Sequence, residues 1–290
     1  MSLFIQLTIN GLIAGSIYAL VASGFSLIYG TNKFMHFAHG ISVVVAGYIL
    51  YTLSMLAKIP LFLSIIPTLF LSAIFSLGMY RLIYLPLQNK KASNVILLVS
   101  SIALLILFQN LIQAIFGAEV KIINNEVRQG INFFGASITN LQILIISISI
   151  FIFLILYFLM KKTTLGMSMR AVADNKELAS IVGINQKKIS DYSFLIGGLL
   201  AGIAGILISL EQNLSPSIST NLIIKGFSGA VIGGLSFFYS SILGSYILGL
   251  VENYGIMFLP SAFKDAIAFV LLFIFLLFKP SGLFAARGRV

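Results

Sequence analysis

Long, continuous apolar runs separated by short polar segments dominate the chain from one end to the other. Each run is about 20 residues long, which is enough to cross a hydrocarbon layer roughly 30 Å thick as an α-helix. The runs do not alternate between apolar and polar residues, as the strands of a membrane β-barrel would. The pattern therefore predicts an all-α, polytopic transmembrane bundle that forms a single domain over residues 1–290.

Eight or nine membrane spans are expected, and nine apolar runs can be marked along the chain. They cover residues 4–29, 41–57, 61–85, 95–116, 141–160, 191–210, 223–238, 240–258 and 265–279. The seventh and eighth runs are the least well defined, because Gly, Ser and the pair Phe237 and Phe238 interrupt one long apolar stretch. One of these two runs could equally be a half-helix or a re-entrant segment, and hydropathy leaves both interpretations open.

The composition agrees with a membrane location and removes several classes of function. Hydrophobic residues make up 59% of the chain and charged residues 9%, whereas a soluble domain carries about 25% charged residues. Without cysteine there is no disulfide, thiol nucleophile or thiolate metal site. No G-x-x-x-x-G-K-[ST] phosphate loop occurs, so energy from ATP would have to come from another subunit. No HExxH motif or other catalytic constellation predicts an enzyme.

The basic residues predict the orientation of the chain. With the N-terminus outside and the C-terminus in the cytoplasm, 13 of the 18 Lys and Arg residues fall on the cytoplasmic side, in agreement with the positive-inside rule. These are Lys33, Arg81, Lys90, Lys91, Lys161, Lys162, Arg170, Lys176, Lys187, Lys188, Lys279, Arg287 and Arg289. Because the net charge of +10 follows this topology, we expect membrane lipid and no nucleic acid as a partner.

The most informative polar segment is the predicted cytoplasmic loop at about 161–190. Asp174 followed by Glu177 fits an Asp-headed capping box at a helix start, and Gly183 suits the left-handed residue that closes a helix. Between them one face of a two-turn helix is apolar, at Leu178, Ile181 and Val182. A helix this short needs a packing partner to be stable. Its pattern fits a docking helix and an ordinary loop helix equally well.

Two other polar features also leave alternatives open. The outer loop at about 117–140 is either a solvated connector or part of a docking surface for an extracytoplasmic partner. Glu252 lies inside the eighth run, where an ionisable residue is costly. It either contributes to a translocation path or accepts hydrogen bonds from a neighbouring helix. Other ionisable residues are expected to reach the interface from span ends, namely Arg81, Lys225, Lys264 and Asp265.

The two histidines and the paired glycines are interpreted structurally. His36 and His39 lack a nearby carboxylate or thiolate, so they make a poor metal site, and we expect their rings to bond backbone in a non-helical break between the first two spans. Three glycine pairs at a spacing of four predict close helix contacts. They are Gly11 and Gly15, Gly198 and Gly202, and Gly229 and Gly233.

Four segments in order along the chain resemble the LivH/LivM-type permeases of branched-chain amino acid ABC importers, and the LivH branch most closely. They are residues 10–40, ending in HFAHG; residues 170–185, RAVADNKELASIVGIN; residues 229–253, GAVIGGLSFFYSSILGSYILGLVEN; and residues 263–284, FKDAIAFVLLFIFLLFKPSGLF. The resemblance runs nearly end to end. The chain departs from the family pattern at His36, where the family usually has Asn, and at Ser240, where it usually has Gly.

The resemblance implies a non-catalytic subunit of a bacterial inner-membrane importer for branched-chain or related amino acids, without a cofactor. The partners it implies are ABC ATPase subunits, a second permease that is LivM-like or a second copy, and an extracytoplasmic substrate-binding protein. A carrier or channel driven by an ion gradient is the alternative.

Two sets of residues are singled out by the resemblance. The loop expected to dock on the ATPase contains Arg170, Ala173, Asp174, Glu177, Ala179, Gly183 and Asn185. The candidate translocation path or structural signature contains Phe37, Ala38, His39, Gly40 and Glu252.

Overall fold

A computed structural model describes residues 2–123, 130–133, 135–235, 238–279 and 281–283. The helices within these ranges are α1 (Ser2–Asn32), α2 (His39–Tyr51), α3 (Leu61–Met79), α4 (Leu85–Asn89), α5 (Asn94–Phe116), α6 (Asn140–Lys162), α7 (Thr164–Asp174), α8 (Lys176–Ile181), α9 (Gln186–Glu211), α10 (Ile218–Gly233), α11 (Phe238–Gly255) and α12 (Lys264–Phe278). The strands β1 (Gly130–Phe133) and β2 (Ala136–Thr139) form an antiparallel hairpin. The predicted all-α bundle is confirmed.

Three short turns extend these helices. A π-helical turn at Thr52–Leu56 continues α2, and a second one at Tyr80–Tyr84 joins α3 to α4. A 3₁₀ turn at Ser261–Phe263 precedes α12. With these extensions, seven helices among the described residues are long and apolar enough to cross a membrane: α1, α2, α3 with α4, α5, α6, α9 and α12.

For the seventh and eighth runs the structure favours the second alternative left open by the sequence, a broken span or re-entrant segment in place of two separate crossings. They correspond to α10 and α11, which lie at 113° to each other and are long and apolar enough to cross a membrane only when taken together. With 16 residues, α10 is about 24 Å long, which is shorter than a hydrocarbon core of roughly 30 Å. The helix ends early because Gly234 adopts a φ of 122°, a conformation that side chains disfavour. Phe237, one of the two interrupting residues, lies outside the described residues.

The centre of the bundle is formed by α1 and α9. Over its most apolar stretch α1 is 83% buried and α9 72% buried, whereas α6 is 17% and α12 6% buried. The peripheral helices therefore present continuous apolar surfaces to their surroundings. Since a lipid-facing helix needs no polar partners beyond its own backbone bonds, this distribution is expected for a membrane bundle.

All three predicted glycine pairs lie at helix contacts. Gly11 and Gly15 pack against α11, Gly198 and Gly202 against α3, and Gly229 and Gly233 against α11. In each case a Cβ atom on the glycine would meet the backbone or side chain of the facing helix at less than ordinary contact distance. The expectation of a tightly packed bundle is confirmed.

The bundle has two distinguishable ends. At one end, which we call the hairpin end, β2 contacts the start of α1 through two hydrogen bonds between Gln6 and Ser137. Lys121 pairs with Leu214 through two backbone hydrogen bonds at the same end. The predicted outer loop thus contains ordered structure, although Glu126 and Arg128 lie outside the described residues. At the opposite end, which we call the basic end, α6 leads into α7 and α8.

Candidate functional site

The segment at the basic end consists of two short helices with clear caps. The side chain of Thr163 accepts a hydrogen bond from Gly166 N–H at the start of α7. At the start of α8 the side chain of Asn175 accepts one from Leu178 N–H, with an N···O distance of 3.1 Å. The predicted capping box headed by Asp174 is therefore wrong. Asp174 is still helical as the last residue of α7, while Asn175 takes the extended backbone that a cap requires.

The end of α8 agrees with the prediction. Gly183 has a φ of 86°, and its N–H donates to the carbonyl of Ser180. The N–H of Ile184 donates to the carbonyl of Ala179. These two bonds form a Schellman motif, which requires a left-handed residue at the position of Gly183. Asn185 then caps α9 by accepting a hydrogen bond from Lys188 N–H.

The two sides of α8 have opposite environments. Ala179 is buried in a small apolar cluster with Leu27 of α1, Met169 and Val172 of α7, and Ile189 of α9. On the other side the apolar residues stand in the open: Leu178 is 61% exposed, Ile181 78% and Val182 74%. Glu177 is exposed beside them. The apolar face derived from the sequence is thus the face that this chain leaves uncovered.

A polar contact attaches α8 to the end of α1. The ammonium group of Lys176 donates to the carbonyl oxygen of Asn32 at 2.8 Å, and the side chain of Gln186 donates to the carbonyl of Lys176 at 2.6 Å. Burial lowers the pKa of Lys176, and the nearby charge of Lys33 lowers it further. Burial also lowers the pKa of Lys33, although Asp174 opposes this effect. The sequence analysis did not predict this contact.

Next to α7 an open cleft enters the basic end of the bundle. Its volume is about 990 Å³, and its walls come from the end of α1, the end of α6, α7 and the start of α11. Three of the predicted docking residues line it, namely Arg170, Ala173 and Asp174. Glu177, Ala179, Gly183 and Asn185 do not. The predicted docking set is therefore divided between the cleft, the exposed side of α8 with Glu177, the buried side of α8 with Ala179, and the caps at Gly183 and Asn185.

The four signature residues lie together in the interior where α1 passes into α2. Phe37 packs against the rings of Phe25 and Phe227. The N–H of buried Ala38 donates to the hydroxyl of Ser101 at 2.9 Å. His39 lies against Gly24, and Gly40 against α10 at Ser219 and Ile223. Glu252 is not among them, because it lies nearer the hairpin end.

Both histidine rings are buried where α1 passes into α2, and the partner of His36 differs from the one expected. His36 and His39 are both buried, and Nδ1 of His36 forms a hydrogen bond of 2.9 Å with the hydroxyl of Tyr84. The prediction that this ring bonds backbone is therefore wrong. The described part of the chain contains no group of three or more His, Cys, Asp or Glu side chains placed to hold a metal ion.

Glu252 belongs to a buried cluster of charges that joins four helices. Its carboxylate accepts a hydrogen bond of 2.6 Å from Lys225 of α10, whose ammonium group also contacts Asp265 of α12 at 2.9 Å. The same ammonium group donates to the hydroxyl of Tyr18 on α1 at 3.1 Å. The side chains of Lys225 and Glu252 are 12% and 1% exposed.

Two of the ionisable residues expected at span ends have partners inside the bundle. The ammonium group of Lys225 contacts Tyr18, Glu252 and Asp265 within the cluster. Lys264 turns towards the bundle and donates to the side chain of Asn253 at 3.1 Å. The sequence could not pair these residues, since the partners are 11 to 207 positions apart along the chain.

Comparisons with known proteins agree with this architecture. A family model described as the permease component of branched-chain amino acid transport systems matches residues 7–276. The high-affinity branched-chain amino acid transport permease BraD of Pseudomonas aeruginosa is 30% identical, over 97% of this chain and 95% of BraD. LivH of Escherichia coli is similar to the same extent. The D-allose transport permease AlsC of Escherichia coli is 32% identical over 42% of this chain and 40% of its own length.

One solved structure shows the fold. The structure titled PsaBC from Streptococcus pneumoniae in complex with Fab superposes with a TM-score of 0.51 at 16% identity. The superposition covers 96% of this chain and 92% of that one. At this level of identity the similarity concerns the arrangement of helices alone.

Proposed function

The chain belongs to the family of permease components of branched-chain amino acid transport systems and is the transmembrane subunit of an ABC importer. From this premise we propose how ATP hydrolysis by a partner is coupled to the bundle. The basic end of the bundle faces the cytoplasm and binds a separate ATPase through the exposed face of α8. Closure of the ATPase pair moves α8, and this movement reaches the core helices α1 and α9.

One observation carries this proposal: α8 is fixed to the bundle on one side and uncovered on the other. Ala179 is buried against α1, α7 and α9, whereas Leu178, Ile181 and Val182 are each more than 60% exposed. Adjacent exposed apolar side chains on a soluble surface typically mark an interaction site. An amphipathic helix whose apolar residues fill a groove of a partner is a common mode of recognition.

The charge distribution supports the proposed orientation. Lys33, Lys161, Arg170 and Lys176 lie at the basic end, where α1 and α6 finish and α7 and α8 begin. The positive-inside rule places such residues on the cytoplasmic side. The N-terminus would then face outwards, and the C-terminus would face the cytoplasm.

The remaining roles follow from this orientation. The cleft at the basic end would form part of the inner end of the translocation path, with Arg170 and Asp174 at its wall. The segment from Phe37 to Gly40 would hold the junction of α1 and α2 as a structural signature. The hairpin end would receive an extracytoplasmic binding protein. Following the named relatives, the substrate class is branched-chain or related amino acids, and a second permease completes the path.

The test is a pull-down of the tagged chain from native membranes in mild detergent, with mass spectrometry of the partners. Recovery of one or two P-loop ATPases is the expected result, and a second permease among the partners would distinguish a heterodimer from a homodimer. If no ATPase is recovered, with crosslinking as well, and uptake is insensitive to ATP depletion, the chain is a carrier driven by an ion gradient.

A further inference from the structure

Lys176 occupies a position that the electrostatics of its own helix disfavour. It is the first residue of α8, where the partial positive charge of a helix N-terminus repels a cation. Its ammonium group instead reaches across to the last residue of α1, at 2.8 Å from the carbonyl oxygen of Asn32. That carbonyl lies at the negative end of the α1 dipole, so the contact offsets the unfavourable position.

The residue that Lys176 contacts is itself held inside the bundle. Asn32 is 3% exposed, and its amide nitrogen donates to the hydroxyl of Ser193 on α9 at 3.2 Å. The hydroxyl of Thr31 donates to the same serine at 2.9 Å. A displacement of α8 therefore acts through Lys176 on a point where α1 and α9, the two central helices, are joined.

The chain that follows Asn32 enters the interior directly. Residues 33–38, which we call the buried turn, begin with Lys33 in a left-handed conformation at a φ of 63°, which non-glycine residues rarely adopt. Phe34 is 1% exposed and packs against Tyr84, to which His36 is also hydrogen-bonded. The Lys176 contact therefore fixes the point at which the buried turn leaves α1.

We propose that Lys176 is a positioning residue that transmits the movement of α8 to the end of α1 and to the buried turn. This inference rests on the proposed function, since it takes the ATPase as the source of the movement. Docking of the ATPase depends on the exposed face of α8. Transmission of the movement depends on the ammonium group of Lys176, which lies on the side of α8 that faces the bundle. Loss of that ammonium should leave the ATPase bound and disconnect it from the interior.

The experiment uses the absence of cysteine from the chain. Met35→Cys places a single thiol of this chain at a partly buried position of the buried turn. The variant is studied in the full complex, purified with its ATPase. The rate of maleimide labelling of this chain is measured without nucleotide and after trapping with ATP and vanadate. The labelling ratio is the rate after trapping divided by the rate without nucleotide. We expect this ratio to differ from one when Lys176 is present. In Lys176→Met it should return to one, with the ATPase still bound. Lys176→Arg, which keeps a charged donor, should restore the ratio.

Lys187→Met in the same background is the matched control, because Lys187 is an exposed lysine of the same end for which the described contacts include no ion pair. It should leave the labelling ratio unchanged. A ratio of one with Lys176 present, or an unchanged ratio in Lys176→Met, overturns the proposal. If the Lys176→Met variant loses the ATPase while the parent chain and Lys187→Met retain it, the proposal is also overturned, because Lys176 would then belong to the docking surface. Failure of the parent chain to capture any ATPase is different, because it contradicts the proposed function itself.

Discussion

The charge cluster around Lys225 and the exposed face of α8 differ in whether their side chains find partners within the subunit. In the cluster, a costly buried charge meets two carboxylates and a hydroxyl from three other helices. On α8, three large apolar side chains are each more than 60% exposed. In the first region the buried ammonium group of Lys225 is paired within the subunit, whereas the second region exposes apolar side chains that a partner protein would cover.

The difference predicts where substitutions will act. Changes in the charge cluster should alter the stability of the subunit itself, because they leave unpaired charges. Changes on the face of α8 should leave stability almost untouched and act on assembly alone. The following predictions concern the charge cluster, a contact between two interior helices and the exposed face of α8, in order of decreasing effect on stability.

The largest effect is expected for Lys225→Met. The substitution leaves Glu252, whose side chain is 1% exposed, as a buried carboxylate without its ammonium partner. Breaking a buried ion pair from one side costs about 3–5 kcal/mol. The unfolding free energy in detergent should fall by this amount. The double variant Lys225→Met with Glu252→Met should recover most of the loss, because no buried charge is then unpaired; a double variant as unstable as the single one would show that the cluster does not act through this pair.

A smaller effect is expected where α1 and α11 touch. A Cβ atom on Gly249 would lie 2.6 Å from the carbonyl oxygen of Gly11 and 2.8 Å from the Cα of Gly15. Because backbone cannot rotate away, Gly249→Ala should separate the helices and cost about 1–3 kcal/mol. Gly78→Ala is the matched control, since nothing lies within 4 Å of a Cβ there. Alanine favours a helix over glycine by about 1 kcal/mol, so Gly78→Ala should be neutral or stabilising. Equal thermal unfolding midpoints for the two variants would contradict the packing described.

The smallest effect on stability is expected for Ile181→Ser. Ile181 is 78% exposed, so its removal costs little burial, and surface substitutions of this kind usually change stability by about 0.5 kcal/mol or less. The same variant should lose capture of the ATPase in a pull-down. A large drop in the unfolding midpoint would show that Ile181 packs within the chain and that α8 is an ordinary loop helix.

Much of the fold could be predicted from the sequence because membrane helices obey local rules. The length of an apolar run and the spacing of small residues identified the spans and the contacts of Gly11, Gly198 and Gly229. The bend between α10 and α11 could be suspected from its glycines, but its angle depends on how Gly229 and Gly244 approach each other. Such contacts between distant residues leave no local signal.

In the candidate site, too, the features set by local sequence could be predicted and the contacts between distant residues could not. Gly183 and the apolar residues of α8 follow from helix-ending chemistry and periodicity, and the structure agrees with both. The capping-box spacing favours Asp174, whereas the structure has Asn175 as the cap; both residue types are good caps, so their order along the sequence does not decide between neighbours. The one signal for Lys176 was a lysine in the first turn of a helix, which requires a partner elsewhere.

The measurement that tests the docking claim most directly is site-specific crosslinking from single cysteines in this cysteine-free chain. Val182→Cys places a thiol on the exposed face of α8, and Phe258→Cys places one on an equally exposed residue just after α11. Both are treated with a short thiol-reactive crosslinker in native membranes. The account predicts a crosslink to a P-loop ATPase from Val182→Cys and none from Phe258→Cys. Failure of Val182→Cys to crosslink, or equal crosslinking from both positions, would contradict it.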